Sequence, residues 1–153
     1  GSVSVWNLLT LAHLTGPDEA MGYRDLIDRT LSRVPASAQL SRVVPMMMAA
    51  ASTRESGLPQ VVVVGPRDAS STVALLRVFT ESFLPGAVSV VVEPGVHQAA
   101  VAGRMPWVST MHQIDGRPTA YLCQDFSCQA PVTDPEDLRA QLGELVAHRL
   151  SGR

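Results

Sequence analysis

Lysine is absent from this sequence of 153 residues, and all 12 basic positions are arginine. Guanidinium groups pair bidentately with carboxylate or phosphate, but these arginines are scattered along the chain and read as a composition bias rather than an anion-binding cluster. Against them stand 14 acidic residues, for a formal charge of −2 and a pI near 6.1. That balance gives no general electrostatic grip on nucleic acid or on an anionic membrane, so neither is expected as a partner. A long apolar run is missing too. A bilayer span needs about 20 such residues, and the longest run, 43–51, is interrupted by Pro45. No basic region followed by an apolar stretch and a cleavage site is visible, which makes the cytoplasm the default expectation. Aromatic residues are only 5% and charged residues 17%, yet 46% of the chain is apolar, which is the composition of a folded domain and not of a disordered one.

The first third reads as helical. Residues 3–14 (VSVWNLLTLAHL) are apolar on most faces and stop at Thr15-Gly16-Pro17, a glycine and proline pair that ends a buried helix. A second helix is expected from Asp18, which can cap free amides, with Ala20, Tyr23, Ile27, Leu31 and Val34 at helical spacing until Pro35. Pro45 suits the first turn of a third (PMMMAAAST), in which Met46, Met47 and Met48 are expected as flexible core filler.

After Gly57 the texture changes. Residues 60–65 (QVVVVG) predict a strand buried on both faces. A helix opening at Asp68 or Ser70 follows, with Val73, Leu75, Leu76, Phe79 and Phe83 as its apolar side. Residues 87–92 form a second valine-rich strand, and such a strand, helix and strand predict a right-handed parallel crossover. A short helix is expected within 95–103, and 104–118 reads as mostly irregular. Residues 119–123 predict a third strand and 128–132 a fourth, weakened by Pro131, in an antiparallel hairpin. Thr133-Asp134-Pro135-Glu136 opens a last helix through Leu138, Leu142, Leu145 and Val146. The expected architecture is therefore α/β: a helical segment over 1–56, then a mixed-sheet domain over 57–153 of order βαβα-ββα, thioredoxin-like or Rossmann-like in topology.

Chemistry-bearing residues are few. Cys123 and Cys128, at the two ends of a hairpin, can come within disulfide range. They lack the two-residue spacing that lets one thiol resolve a mixed disulfide from a helix N-terminus. Structural thiols, a structural or regulatory disulfide and a catalytic or metal role all stay open. His97 and His112 are the only further donors in the irregular region, and their spacing requires no zinc. Gly65, Arg67, Ser70 and Ser71 lie between a strand and a helix, where α/β proteins bind anions. Neither a dinucleotide glycine pattern nor a P-loop lysine is present, and Pro66 removes one amide, so a plain turn is the better reading. No G-x-S-x-G occurs, and the acidic pairs are explained by helix capping or solvated faces. No catalytic set, cofactor or metal is indicated.

The segments SVSVWNLLTLAHLTG (2–16), QVVVVGPRDASSTVALL (60–76), FLPGAV (83–88) and TAYLCQDFSCQAPVTDPEDL (119–138) together resemble the C-terminal region of the YyaL-type family of thioredoxin-domain-containing proteins. The resemblance implies a parent with an N-terminal thioredoxin-like domain and a six-hairpin helical toroid. Residues 1–56 would be the closing helices of that toroid and 57–153 an appended α/β module. Beside that parent, the lack of a catalytic set favours a non-catalytic structural or interaction role; the alternatives are a redox-active or redox-sensing module using Cys123 and Cys128 and, from the toroid resemblance alone, part of a carbohydrate-processing enzyme. Cut away from its parent, the helical segment is expected to expose apolar surface and to self-associate.

Overall fold

The computed structural model describes residues 1–34, 44–125 and 127–151. The chain divides into two compact units, Gly1–Leu58 and Pro59–Arg153.

The first unit is helical. α1 (Ser2–Leu14) packs on both α2 (Pro17–Leu31) and α3 (Pro45–Ser56), burying Val5, Leu9 and Ala12 on one side, with Ala20 and Ile27 of α2 and Ala50 of α3 also buried. The Trp6 indole donates to the Met46 carbonyl at 3.2 Å, and Arg54 holds the Asp28 carboxylate through two hydrogen bonds of 3.0 Å. Two expectations change here. Asp18 does not cap α2: Gly16 is the cap residue and Pro17 opens the helix, because proline's missing donor costs nothing in the first turn. Met46 and Met48 are exposed rather than core filler, since α3 turns Ala50 inward. The expected stop at Pro35 lies outside the described residues.

The second unit is a four-stranded sheet of order β2-β1-β3-β4, with β1 (Pro59–Val64), β2 (Val88–Val92), β3 (Thr119–Gln124) and β4 (Ser127–Cys128). β1 pairs parallel with β2 and antiparallel with β3, which pairs antiparallel with β4. Strand alternation sends β1 side chains to opposite faces. Val61 and Val63 join Leu75 and Val78 of α4 (Ser70–Glu81), Ala120 and Leu122 of β3, and Leu138 and Leu142 of α6 (Pro135–Ser151). Val62 and Val64 join Val92, Val108, Met111 and Cys123 on the other face, beside α5 (Val96–Ala102) and the 3₁₀ turn Pro106–Thr110. The sheet is therefore the middle of three layers, which is why β1 is buried at every position.

This is the expected mixed α/β sheet, and its strand order and directions fit a thioredoxin-like arrangement. α6 begins as read, with the Asp134 carboxylate accepting the Glu136 amide at 2.8 Å. Several details differ. β2 is an edge strand and only partly buried. In α4 the inward positions are Thr72, Leu75 and Val78, whereas Val73 and Phe83 are exposed. Of the two openings read for α4, Ser70 is its first residue, and Ala69 before it gives no side-chain cap. β4 stops at Cys128; beyond it the return continues as the Gln129 amide donating to the Leu122 carbonyl at 2.9 Å and a bridge from Val132 to Ala120, interrupted at Pro131, which cannot donate to a ladder. Residues 104–118 are more ordered than expected. Gln98 donates to the carbonyls of Val108 and Met111, each at 2.7 Å, and the Tyr121 hydroxyl bonds both backbone groups of His112. Asp115 and Gly116, at φ 50° and 69°, form the tight turn of a small hairpin closed by Ile114 and Arg117, the geometry that Asp-Gly favours.

Candidate functional site: the hairpin disulfide and the closed crossover turn

Cys123 and Cys128 are joined in a disulfide, with an S–S length of 2.05 Å and Cα atoms 3.9 Å apart. They are directly opposed across the β3-β4 hairpin, so the register of the ladder itself brings the sulfurs together. Their surroundings differ. Cys123 is 2% exposed within the apolar cluster of Val62, Val64, Val92, Val108 and Met111, whereas Cys128 is exposed on the short outer strand.

That asymmetry sets the exchange chemistry. An incoming thiolate can reach only the Cys128 sulfur. A new S–S bond would form there, the old bond would break, and its electron pair would go to Cys123, where an apolar site disfavours a thiolate. Arg149 is the cation with an electrostatic link to this turn: burial pulls its guanidinium below the usual arginine value, and Asp125 in the hairpin turn pushes it back up.

The turn after β1, which carries the anion-binding candidates, lies at the other end of the sheet. Val64 is opposite Thr119, whereas Cys123 is opposite Gln60, so the two places are separated by about 14 Å along β3 at ~3.4 Å per residue. The turn is closed. A Cβ added at Gly65 would lie 2.8 Å from the Thr72 hydroxyl oxygen and 2.9 Å from Pro118 Cβ. Glycine is thus required by close approach of the α4 first turn and the residue leading into β3. The Arg67 amide donates to a Glu93 carboxylate oxygen at 3.0 Å, so an internal acid already holds the donor an anion would need. Glu93 is itself positioned by its own amide, which donates to His97 Nδ1 at 3.2 Å. Ser70 and Ser71 are exposed at the start of α4. The Thr72 hydroxyl is fully buried and has no hydrogen-bond partner among the described residues.

The sequence-derived residues are therefore brought together as one bonded pair and, separately, as one turn. Reading the sequence placed Thr72 beside this turn with Ser70 and Ser71 but missed Glu93 and Pro118, which help close it. Only the proline directly before a strand offered a signal, because contacts between loops distant in sequence leave no local pattern. His97 is used within the fold, and among the described residues no group of three or more His, Cys, Asp or Glu side chains is placed to hold a metal ion. No helix among them is long and apolar enough to cross a membrane.

Comparison with known proteins adds the wider context. The chain is similar to spermatogenesis-associated protein 20 of Homo sapiens, with 31% identity over 145 residues, covering 92% of this chain and 18% of that protein. Identity to spermatogenesis-associated protein 20 of Rattus norvegicus is 30% over 145 residues, with the same coverage of 92% and 18%. The chain is homologous to part of a longer protein. It spans 18% of the length of the curated relatives it matches. No family model matches it, and no solved structure matches it.

Proposed function

We propose that this chain is the C-terminal region of a YyaL-type thioredoxin-domain-containing protein, and that its α/β unit is a non-catalytic module that assembles with the rest of the parent. The observation that carries this reading is the closed crossover turn. The sheet has thioredoxin-like order, but the position where such a fold presents a reactive thiol at a helix N-terminus holds Gly65-Pro66-Arg67-Asp68. That turn is packed against Thr72 and Pro118 and occupied by Glu93. The homology to part of a longer protein supports a module that works beside other domains. On this reading α1 to α3 are the closing helices of a six-hairpin toroid, and the exposed Val3, Leu11, Met21 and Leu26 are covered in the parent and are self-associating surface when it is absent. The test is complementation. Expressed separately and mixed at tens of micromolar, this chain and the remainder of the parent should form a stoichiometric complex by light scattering. Two species that elute independently would sink the proposal.

A second reading is favoured by the disulfide. Cytoplasmic disulfides are usually transient or redox-sensing, so Cys123 and Cys128 in that compartment would form a redox-responsive pair, exchanging with the parent's thioredoxin-like domain. Trapping the thiols across a glutathione series separates the two readings. A potential near the cytosolic poise supports sensing, and one below about −300 mV is that of a structural bond.

A further inference from the structure

At the exposed end of the disulfide the backbone is available as well as the sulfur. The Gln129 amide donates to the Leu122 carbonyl at 2.9 Å, one step beyond the opposed residues Cys123 and Cys128. In an antiparallel ladder that bond makes the two cysteines the closer kind of pair, which exchanges no backbone hydrogen bonds of its own, in keeping with Cα atoms 3.9 Å apart. The amide and carbonyl of Cys128 therefore point away from β3, off the open end of the strand order. Among the described residues they meet no backbone partner. The edge beyond Cys128 is closed. Gln129 turns its amide inward, the Ala130 carbonyl accepts from Gln141 Nε2 at 2.8 Å, and Pro131 has no donor. A strand without a thiol would gain only the amide and carbonyl of Cys128, too little to hold it there. A strand that carries a thiolate gains both of these and a covalent bond.

We propose that the disulfide exchanges selectively with a protein dithiol whose attacking thiolate sits beside an extended backbone, in preference to small thiols. The partner's strand pairs with the outward amide and carbonyl of Cys128, strand addition reduced to a single residue, and so brings its thiolate to the Cys128 sulfur. This rests on the redox-responsive reading of Cys123 and Cys128 and adds what the partner must present. The partner thiolate forms a bond to Cys128 Sγ as the Cys123–Cys128 bond breaks, and the electron pair leaves on Cys123, which takes a proton from water because its apolar site disfavours a thiolate. The partner's second thiol, deprotonated to water, then attacks the partner's own sulfur in the mixed disulfide, and Cys128 leaves as a thiolate and is protonated in turn. The partner dithiol ends as a disulfide and the pair as two thiols, so two electrons and two protons have passed to this chain.

The oxidised 153-residue chain is to be reduced by thioredoxin, kept reduced with its reductase and NADPH, and separately by dithiothreitol and by glutathione at equal thiolate concentration. Thioredoxin should act at least roughly tenfold faster, the effect of a pair of added hydrogen bonds. A thioredoxin variant lacking its second thiol should be trapped on Cys128 and not on Cys123 by peptide mass mapping. In the Cys123→Ala chain, hydrogen exchange at the Cys128 amide should be slower in the thioredoxin adduct than in the glutathione adduct. Equal rates of reduction, or a Cys128 amide that exchanges alike in both adducts, overturns the proposal and leaves the pair redox-responsive. A potential below about −300 mV in the glutathione series removes that underlying reading, and the proposal with it.

Discussion

Replacing Gly65 by alanine tests the closed turn most directly. The added methyl carbon would stand 2.8 Å from the Thr72 oxygen, 2.9 Å from Pro118 Cβ and 3.1 Å from Pro118 Cγ. Carbon atoms in contact prefer about 3.5–4.0 Å, so at least two neighbours would have to retreat by roughly half an ångström or more. Neither can do so freely. Pro118 is a rigid ring joined to Thr119, which is buried in β3 opposite Val64, and Thr72 is buried in the first turn of α4. Overpacking of this kind costs about 1–3 kcal/mol. In a unit of this size each kcal/mol moves the melting temperature by about 4–8 °C, so Gly65→Ala should lower the Tm by roughly 5–20 °C. Gly143→Ala is the matched control. Nothing lies within 4 Å of its added carbon and it sits inside α6, so better helix propensity should raise stability by about 0.5–1 kcal/mol. Thermal and urea unfolding followed by circular dichroism would report both variants, with the denaturant slope confirming that only stability moved. A Gly65→Ala protein that melts with the parent chain would refute the packing argument and reopen the turn as a binding position.

Three further outcomes follow from the same region and from the hairpin. Thr72→Val removes a buried hydroxyl that has no partner among the described residues while keeping its shape, and should raise stability by about 1 kcal/mol in urea unfolding; a loss of stability would show that the hydroxyl is bonded in solution. Reducing the Cys123–Cys128 bond opens a loop of sequence separation 5 and should cost about 2 kcal/mol on the chain-entropy account, read as a lower urea midpoint in dithiothreitol. In that reduced protein iodoacetamide should label the exposed Cys128 well before Cys123, and equal labelling rates would contradict the burial of Cys123.

How much of this was legible in the sequence divides along the range of the interactions. Local signals worked where one residue type has one strong preference. Pro45 and Pro135 open helices, and the cap at Asp134 forms as read. The run QVVVVG marks the strand buried on both faces, and two cysteines in hairpin register meet. Where identical letters meet different neighbours, sequence was silent. β1 and β2 are both valine strands, yet one is central and the other is an edge, because β3 returns beside β1 and leaves β2 unaccompanied. Of the apolar side read for α4, Leu75 is buried and Leu76 and Phe79 pack against the core as expected, but Val73 and Phe83 are exposed and Thr72 and Val78 are buried in addition.

The sequence by itself determined the element types, the mixed α/β class and the possibility of one disulfide, because periodicity, proline placement and strand propensity act over a few residues. Tertiary structure alone decided that the crossover turn is shut, that Glu93 takes the amide an anion would need, and that the disulfide has one buried and one exposed sulfur. Each of these depends on segments more than twenty residues apart being brought into contact by the strand order, and no local preference encodes that order.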